Sequence, residues 1–300
     1  MQGLQHVLLR REHDVLFATL NRPETRNALA PEVVAELAQV VGIAETDAQV
    51  RALVLRGAQG FFCAGGNVGN FQARLDAGGQ AQGIAGPPQD ALSPSGGGLG
   101  EARTWGLQED PVAARNRAFG RFMQRLAGLP VPVLAVVEGA ALGGGMGLAC
   151  AADLVLATQD AKFALSETSL GIIPAQIAPF VVARLGRRAA LRLGLSGERV
   201  SGEAARALGL VDEFAADGAA LDALLAQWLT RLCACAPGAN RTLKSLLRRC
   251  GHEEDGALLD DAAHLFAACM CAEGAEGIAA FREKRPAAWC HAFTADAVRP

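Results

Sequence analysis

Continuous apolar runs that end in glycine turns set the pattern of this chain. Val133–Val137 is apolar at every position, stops at Glu138-Gly139, and leads into Gly143, Gly144 and Gly145. A run without polar alternation predicts a strand buried on both faces. Residues 146–152 follow as a small-residue helix, 154–157 as a second strand, and 162–165 as a short strand-like piece ending just before Glu167. Earlier in the chain, residues 5–20 read as two strands around a polar turn at 11–14. Residues 21–27, NRPETRN, form a loop. Pro31 opens a helix whose Val34, Leu37 and Val41 keep helical spacing to about residue 45. Residues 51–56 are a buried strand, and 57–70, GAQGFFCAGGNVGN, are a second glycine-rich turn.

The pattern predicts a helix over 113–129, with Phe119, Phe122, Met123 and Leu126 on one side. Beyond Glu167 the chain turns at Pro174 and becomes helical from about residue 178. A short helix over 201–208 takes Ser201 as its N-cap, and 210–214 is a short strand. From 217 onward the chain reads as helices at 217–235, 238–249, 253–272 and 274–283. Residues 78–111 are different: GG, GPP and SPSGGG with almost no periodic apolar signal mark a long flexible insertion. The layout is an α/β core over 1–214 and a helical region over 215–300, the latter a subdomain or an oligomerisation arm.

Composition narrows the class. The 300 residues are 51% hydrophobic and 20% charged, with a net charge of −3, so a substantial core is expected. No basic excess points to nucleic acid. The apolar runs fall short of the roughly 20 residues needed to span a bilayer, and the N-terminus lacks a secretory h-region. A soluble, cytoplasmic protein is expected. Its eight cysteines are expected to be reduced. The pairs Cys233/Cys235 and Cys269/Cys271 sit in helical patterns with their members on different faces, so buried small thiols are a better reading than metal ligands.

Two strands that each end in a glycine turn before a helix could each offer a backbone N–H to one ligand atom, as an oxyanion hole requires. The N–H groups of a helix's first turn lack intrahelical acceptors, and the dipole there is positive. Glu167 follows the last strand-like piece, close to these turns. Glu138 and Asp153 read as structural carboxylates. Rival chemistries lack their motifs. GGGMG does not continue as G-x-G-x-x-G, because Cys150 takes the last glycine slot, and no P-loop occurs. No G-x-S-x-G elbow exists. His6, His13, His252, His264 and His291 lie outside the central stretch, and His252, His264 and Asp260 read as a solvated helix face.

Six segments in order resemble the crotonase (enoyl-CoA hydratase/isomerase) superfamily: NRPETRNAL, FFCAGGNV, PVLAVVEGAALGGGMGLACAADLVLA, KFALSETSLGIIP, VSGEAARALGLVDE and FREKRPAAW. The resemblance implies a spiral of ββα units with a C-terminal all-helical trimerisation region, assembled as trimers or dimers of trimers. It implies acyl-CoA thioester substrates, with CoA as part of the substrate and no separate cofactor or metal. By motif, the backbone N–H groups of Gly66 and Gly144 would hold the thioester oxygen as an enolate forms. Ala64 would lie beside the adenine, Arg22 and Arg26 would reach CoA phosphates, and Lys284 would meet CoA from a neighbouring subunit.

The sequence departs from the family pattern at two places. The slot where hydratases carry a first glutamate is Gly147, which leaves only the second, Glu167. Asn67 replaces the usual aspartate. A single carboxylate suffices for a Δ3/Δ2 isomerase, which moves one proton between carbons. It suffices for hydration if it takes the proton of water and returns it to Cα. The expected activity is an enoyl-CoA hydratase-type reaction, with isomerase and a non-catalytic acyl-CoA-binding scaffold as alternatives. Gly147 is expected to make space for a branched acyl group, and Gln176 to add an amide to the pocket. The segment IIPAQIAPF resembles hydratases acting on branched, glutaconyl-type thioesters.

Overall fold

The computed structural model describes residues 3–66 and 111–300. Asn67 and the 78–111 insertion, apart from the start of the helix at Pro111, lie outside the described residues. A six-stranded sheet runs in the order β1 (Val7–Glu12), β2 (Val15–Leu20), β3 (Ala52–Gly57), β4 (Val133–Val137), β6 (Leu154–Thr158), β9 (Glu213–Ala215). Only the β1–β2 hairpin is antiparallel; every later pairing in this sheet is parallel. A second, three-stranded sheet joins β5 (Ala140–Leu142), β7 (Lys162–Ala164) and β8 (Val200–Ser201). Strands β4 and β5 precede one helix, and β6 and β7 precede the next, so ββ pairs alternate with helices along the core.

The central strands are apolar at every position because both faces of the sheet are covered. Along β4, Val133, Ala135 and Val137 enter one core while Leu134 and Val136 enter the other. The first core is closed by α1 (Pro31–Thr46), α2 (Pro111–Gly128), α3 (Gly144–Ala151) and α4 (Ala178–Ser196). The second is closed by Leu221, Leu225 and Leu229 of a helix at Gly218–Ala234, with Phe293 and Val298 near the C-terminus. That helix, the first of the C-terminal region, therefore packs on the core sheet.

The next helix, Pro237–Arg249, is tied to the core through cations on backbone carbonyls. Arg241 donates to the carbonyls of Asp47, Ala48 and Val50, and Lys244 donates to Val131 and to the Asp153 carboxylate. The helices Asp255–Cys269 and Ala275–Glu283 bury only Leu258 and Ala280 and leave Leu259, Phe266 and Phe281 exposed.

Short elements differ from the sequence reading. The expected strand at 210–214 begins only at Glu213, because Leu210 and Val211 are buried in a loop whose N–H groups bond to Ala205. The helix expected at 146–152 starts at Gly144. Cys63, Cys150 and Cys233 are buried, but Cys235, Cys250 and Cys271 are exposed. The expectation of buried thiols holds for Cys233 but fails for Cys235 and for both members of the second C-x-C pair, since Cys269 is only half-buried.

Candidate active site

The site is built where two glycine turns meet. At the end of β4, the Arg56 guanidinium holds the Glu138 carboxylate (3.0 and 2.7 Å) and also reaches Asp222 (2.5 Å). Glu138 is thus committed to a buried ion pair, as a structural carboxylate. Its carbonyl accepts from the Phe62 N–H, which lays the 61–66 turn alongside β5. Cys63 N–H donates to Ala140, and Leu142 N–H donates back to Cys63. Burial pushes the Cys63 thiol up to about 12, so it stays protonated and is no nucleophile.

Asn27 ties a third loop to this pair. It is 1% exposed, takes φ +55°, and donates from its amide to the carbonyls of Ala58 (3.2 Å) and Phe61 (2.5 Å) while accepting from the Arg22 N–H (2.8 Å). The loop then bonds onward, with Ala64 N–H to the Arg26 carbonyl (3.0 Å) and Leu29 N–H to the Gly65 carbonyl (2.8 Å).

Gly65 and Gly143 are glycines for a geometric reason. Gly65 has φ +86°, and a Cβ there would lie 2.5 Å from the Leu142 carbonyl oxygen and 3.4 Å from the Gly144 nitrogen. Gly143 has φ +48°, and a Cβ there would lie 2.8 Å from Glu167 Oε1. Side chains at either place would push the turns apart. The result sets the 65–66 turn against the N-terminus of α3, with Glu167 against the same N-terminus.

Glu167 begins a 3₁₀ turn, Glu167–Leu170, and its side chain is directed at Gly143. Its Oε2 is buried without a hydrogen-bond partner among the described residues. Burial raises its pKa above the usual carboxylate value, partly offset by its own backbone N–H. A carboxyl whose charged form is disfavoured by burial is a stronger proton acceptor than a solvated one, as an acid/base requires.

Gly147 stands one turn along from Gly143, to which its N–H bonds (2.9 Å). A Cβ at 147 would fall 2.3 Å from Ile177 Cγ2 and 2.7 Å from Ile177 Cβ. The expected opening for a branched acyl group is therefore closed: Ile177, 3% exposed, fills it. Gln176 lies against α2, where its Oε1 would be 1.8 Å from a Cβ on Gly120. Phe119 of α2 and Leu29 flank Gly144, at 3.7 and 3.0 Å from its would-be Cβ. Ile177, Leu29 and Asn27 were not singled out by sequence reasoning, and Phe119 was named only as part of the apolar face of its helix. Only Asn27 carried a signal, as a turn-forming residue inside the NRPETRN loop.

The remaining candidates are more dispersed. Arg22 pairs with Glu24 (3.0 Å), and Arg26 is exposed above the Phe61 ring (5.9 Å). Asp153 accepts from Val133 N–H and pairs with Lys244, an anchoring role. Lys284 is exposed in the left-handed region just past the helix Ala275–Glu283. Among the described residues no group of three or more His, Cys, Asp or Glu is arranged to hold a metal ion.

The sequence profile of a family described as enoyl-CoA hydratase/isomerase matches residues 15–297. An enoyl-CoA hydratase/isomerase structure from Marinobacter aquaeolei is 42% identical, with 95% of this chain and 99% of that one covered, at a TM-score of 0.81. Pseudomonas aeruginosa AtuE is 44% identical over 96% of this chain and 100% of that one, also at 0.81. A 1,2-epoxyphenylacetyl-CoA isomerase of Escherichia coli K12 is 32% identical over 235 residues, covering 78% of each chain.

Proposed function

Given that the chain belongs to the enoyl-CoA hydratase/isomerase family, whose members are enzymes acting on acyl-CoA thioesters, we propose that it adds water to a 2-enoyl-CoA with Glu167 as the sole proton carrier. The observation that carries this reading is the buried Glu167 Oε2 with no donor among the described residues. A buried carboxylate oxygen calls for a donor, and a water poised to attack the acyl chain supplies one. The thioester oxygen takes hydrogen bonds from the N–H groups of Gly66 and Gly144. Glu167 accepts the proton of water as its oxygen bonds to Cβ. The electron pair moves through the conjugated system to the thioester oxygen, and the enolate collapses as Glu167 returns the proton to Cα. Fixed dipoles at the enolate oxygen act where the charge develops.

Around this centre, Ala64, Arg22 and Arg26 line the side on which the CoA nucleotide enters. Gln176 faces the acyl chain from the segment before α4. The exposed Leu259, Phe266 and Phe281 on the C-terminal helices support burial against further copies, as a trimer or a dimer of trimers, in which Lys284 of one copy meets the CoA of another. No single helix among the described residues is long and apolar enough to cross a membrane.

A second reading is the Δ3/Δ2 isomerase. Ile177 favours it, because hydrocarbon stands where a second carboxylate would help activate water. Turnover of a 2-enoyl-CoA and a 3-enoyl-CoA in D₂O separates the two by mass. Gain of one water on the 2-enoyl substrate is the expected result. Migration of the double bond without water, on the 3-enoyl substrate alone, would replace hydration by isomerisation.

A further inference from the structure

Glu167 and Ile177 bracket one short segment that wraps the start of α3. One end meets Gly143 with a carboxylate; the other meets Gly147 with a branched hydrocarbon. The two glycines are one helical turn apart. Ile177 has little freedom to leave. It is β-branched and so stiff at χ1. Its N–H bonds to Pro174 (3.3 Å), and its carbonyl accepts from Phe180 and Val181 (3.0 Å each) at the head of α4. Van der Waals contact at 2.3 Å is impossible, so any side chain at 147 must displace it.

We propose that Ile177 is a specificity-determining residue of this site: it occupies the place of a second carboxylate, keeps water off that side of the acyl chain, and so commits all proton movement to Glu167. The proposal rests on the reading of Glu167 as the proton carrier. Ile177 exchanges no atoms with the substrate. Its effect is to close one approach and to desolvate another group. Gly147 follows as a consequence: with Ile177 in place, only a residue without Cβ fits. Glu167 and Ile177 meet glycines one helical turn apart, so opening the Ile177 side would admit water next to the Glu167 carboxylate.

The test compares wild type, E167Q, I177A, G147E and G147E/I177A with one 2-enoyl-CoA, by kcat/KM against pH. Wild type is expected to show an acid limb above the usual carboxylate range. In I177A that limb moves down by about half a unit or more as water reaches Glu167. G147E alone is expected to fold poorly or to lose about 100-fold in kcat/KM, since displacing Ile177 disturbs the segment that aims Glu167. In G147E/I177A at least about ten-fold of that returns, because the new side chain has room. An unmoved limb in I177A, or a G147E variant that folds and works like wild type, overturns the role of Ile177. Where G147E does not fold, the I177A limb decides. E167Q as active as wild type instead overturns the assignment of Glu167 on which the proposal stands.

Discussion

At the scale of single residues the carboxylate of Glu167 is poorly solvated and has no donor on Oε2 among the described residues, which makes it costly to ionise. The sign of the consequence is fixed. A carboxyl whose folded pKa lies above its unfolded value contributes most at low pH, and the contribution is lost as pH rises through the folded pKa. The E167Q variant removes the ionisable group while keeping its size. It should melt higher than wild type at pH 8, with the difference shrinking as the pH falls below the carboxylate range. Thermal unfolding of both proteins across that range checks this; a wild type more stable than E167Q at pH 8 would mean that the carboxylate has a donor. Glu167 was legible as the candidate because KFALSETSLGIIP resembles the family segment that carries its second glutamate. Ile177 was not. Its partner Gly147 read as open space, since a missing side chain does not announce what has moved into its volume. That information is tertiary: the segment from Glu167 to Ile177 folds back onto α3.

At the scale of elements the site depends on three loops held side by side. Asn27 connects two of them through an amide that satisfies two carbonyls and one N–H. Replacing it by alanine leaves those groups unpaired, at about 1–3 kcal/mol for a buried polar group. N27A should therefore unfold at lower denaturant with an unchanged slope, and should lose kcat/KM as the Gly65–Gly66 turn drifts. Unchanged stability would mean that water replaces the amide. The long elements were legible because their apolar pattern is local: unbroken in β4, helically spaced in α1. The strands Ala140–Leu142 and Val200–Ser201 were not. Both are very short, and what makes them strands is pairing with distant chain. Ala140–Leu142 lies between Lys162–Ala164 and the Cys63 turn, and no local periodicity encodes that.

At the scale of the whole molecule the architecture divides into a double-faced sheet and a helical region with two duties. Gly218–Ala234 covers the second face of the sheet, and Pro237–Arg249 is fastened to core carbonyls by Arg241 and Lys244. The outermost helices instead present Phe281 at 85% and Phe266 at 70% exposure. Aromatic surface of this extent fits burial between copies. Sedimentation should find wild type as a trimer or a multiple of it, and F281D shifted toward monomer; a monomeric wild type would remove the assembly from this account. The change from mixed to helical elements after Glu213–Ala215 was legible. Its energetic meaning was not, since the sequence does not reveal that the first of these helices closes the core.

The most direct test of the central claim is the single-turnover rate of E167Q against wild type on a conjugated 2-enoyl-CoA, followed by mass in D₂O. Positioned acid/base groups contribute about 10²- to 10⁴-fold. Wild type should add one water, and E167Q should add it slower by about that factor while still binding the thioester. An E167Q variant that hydrates the substrate at the wild-type rate would contradict the claim that Glu167 carries the proton.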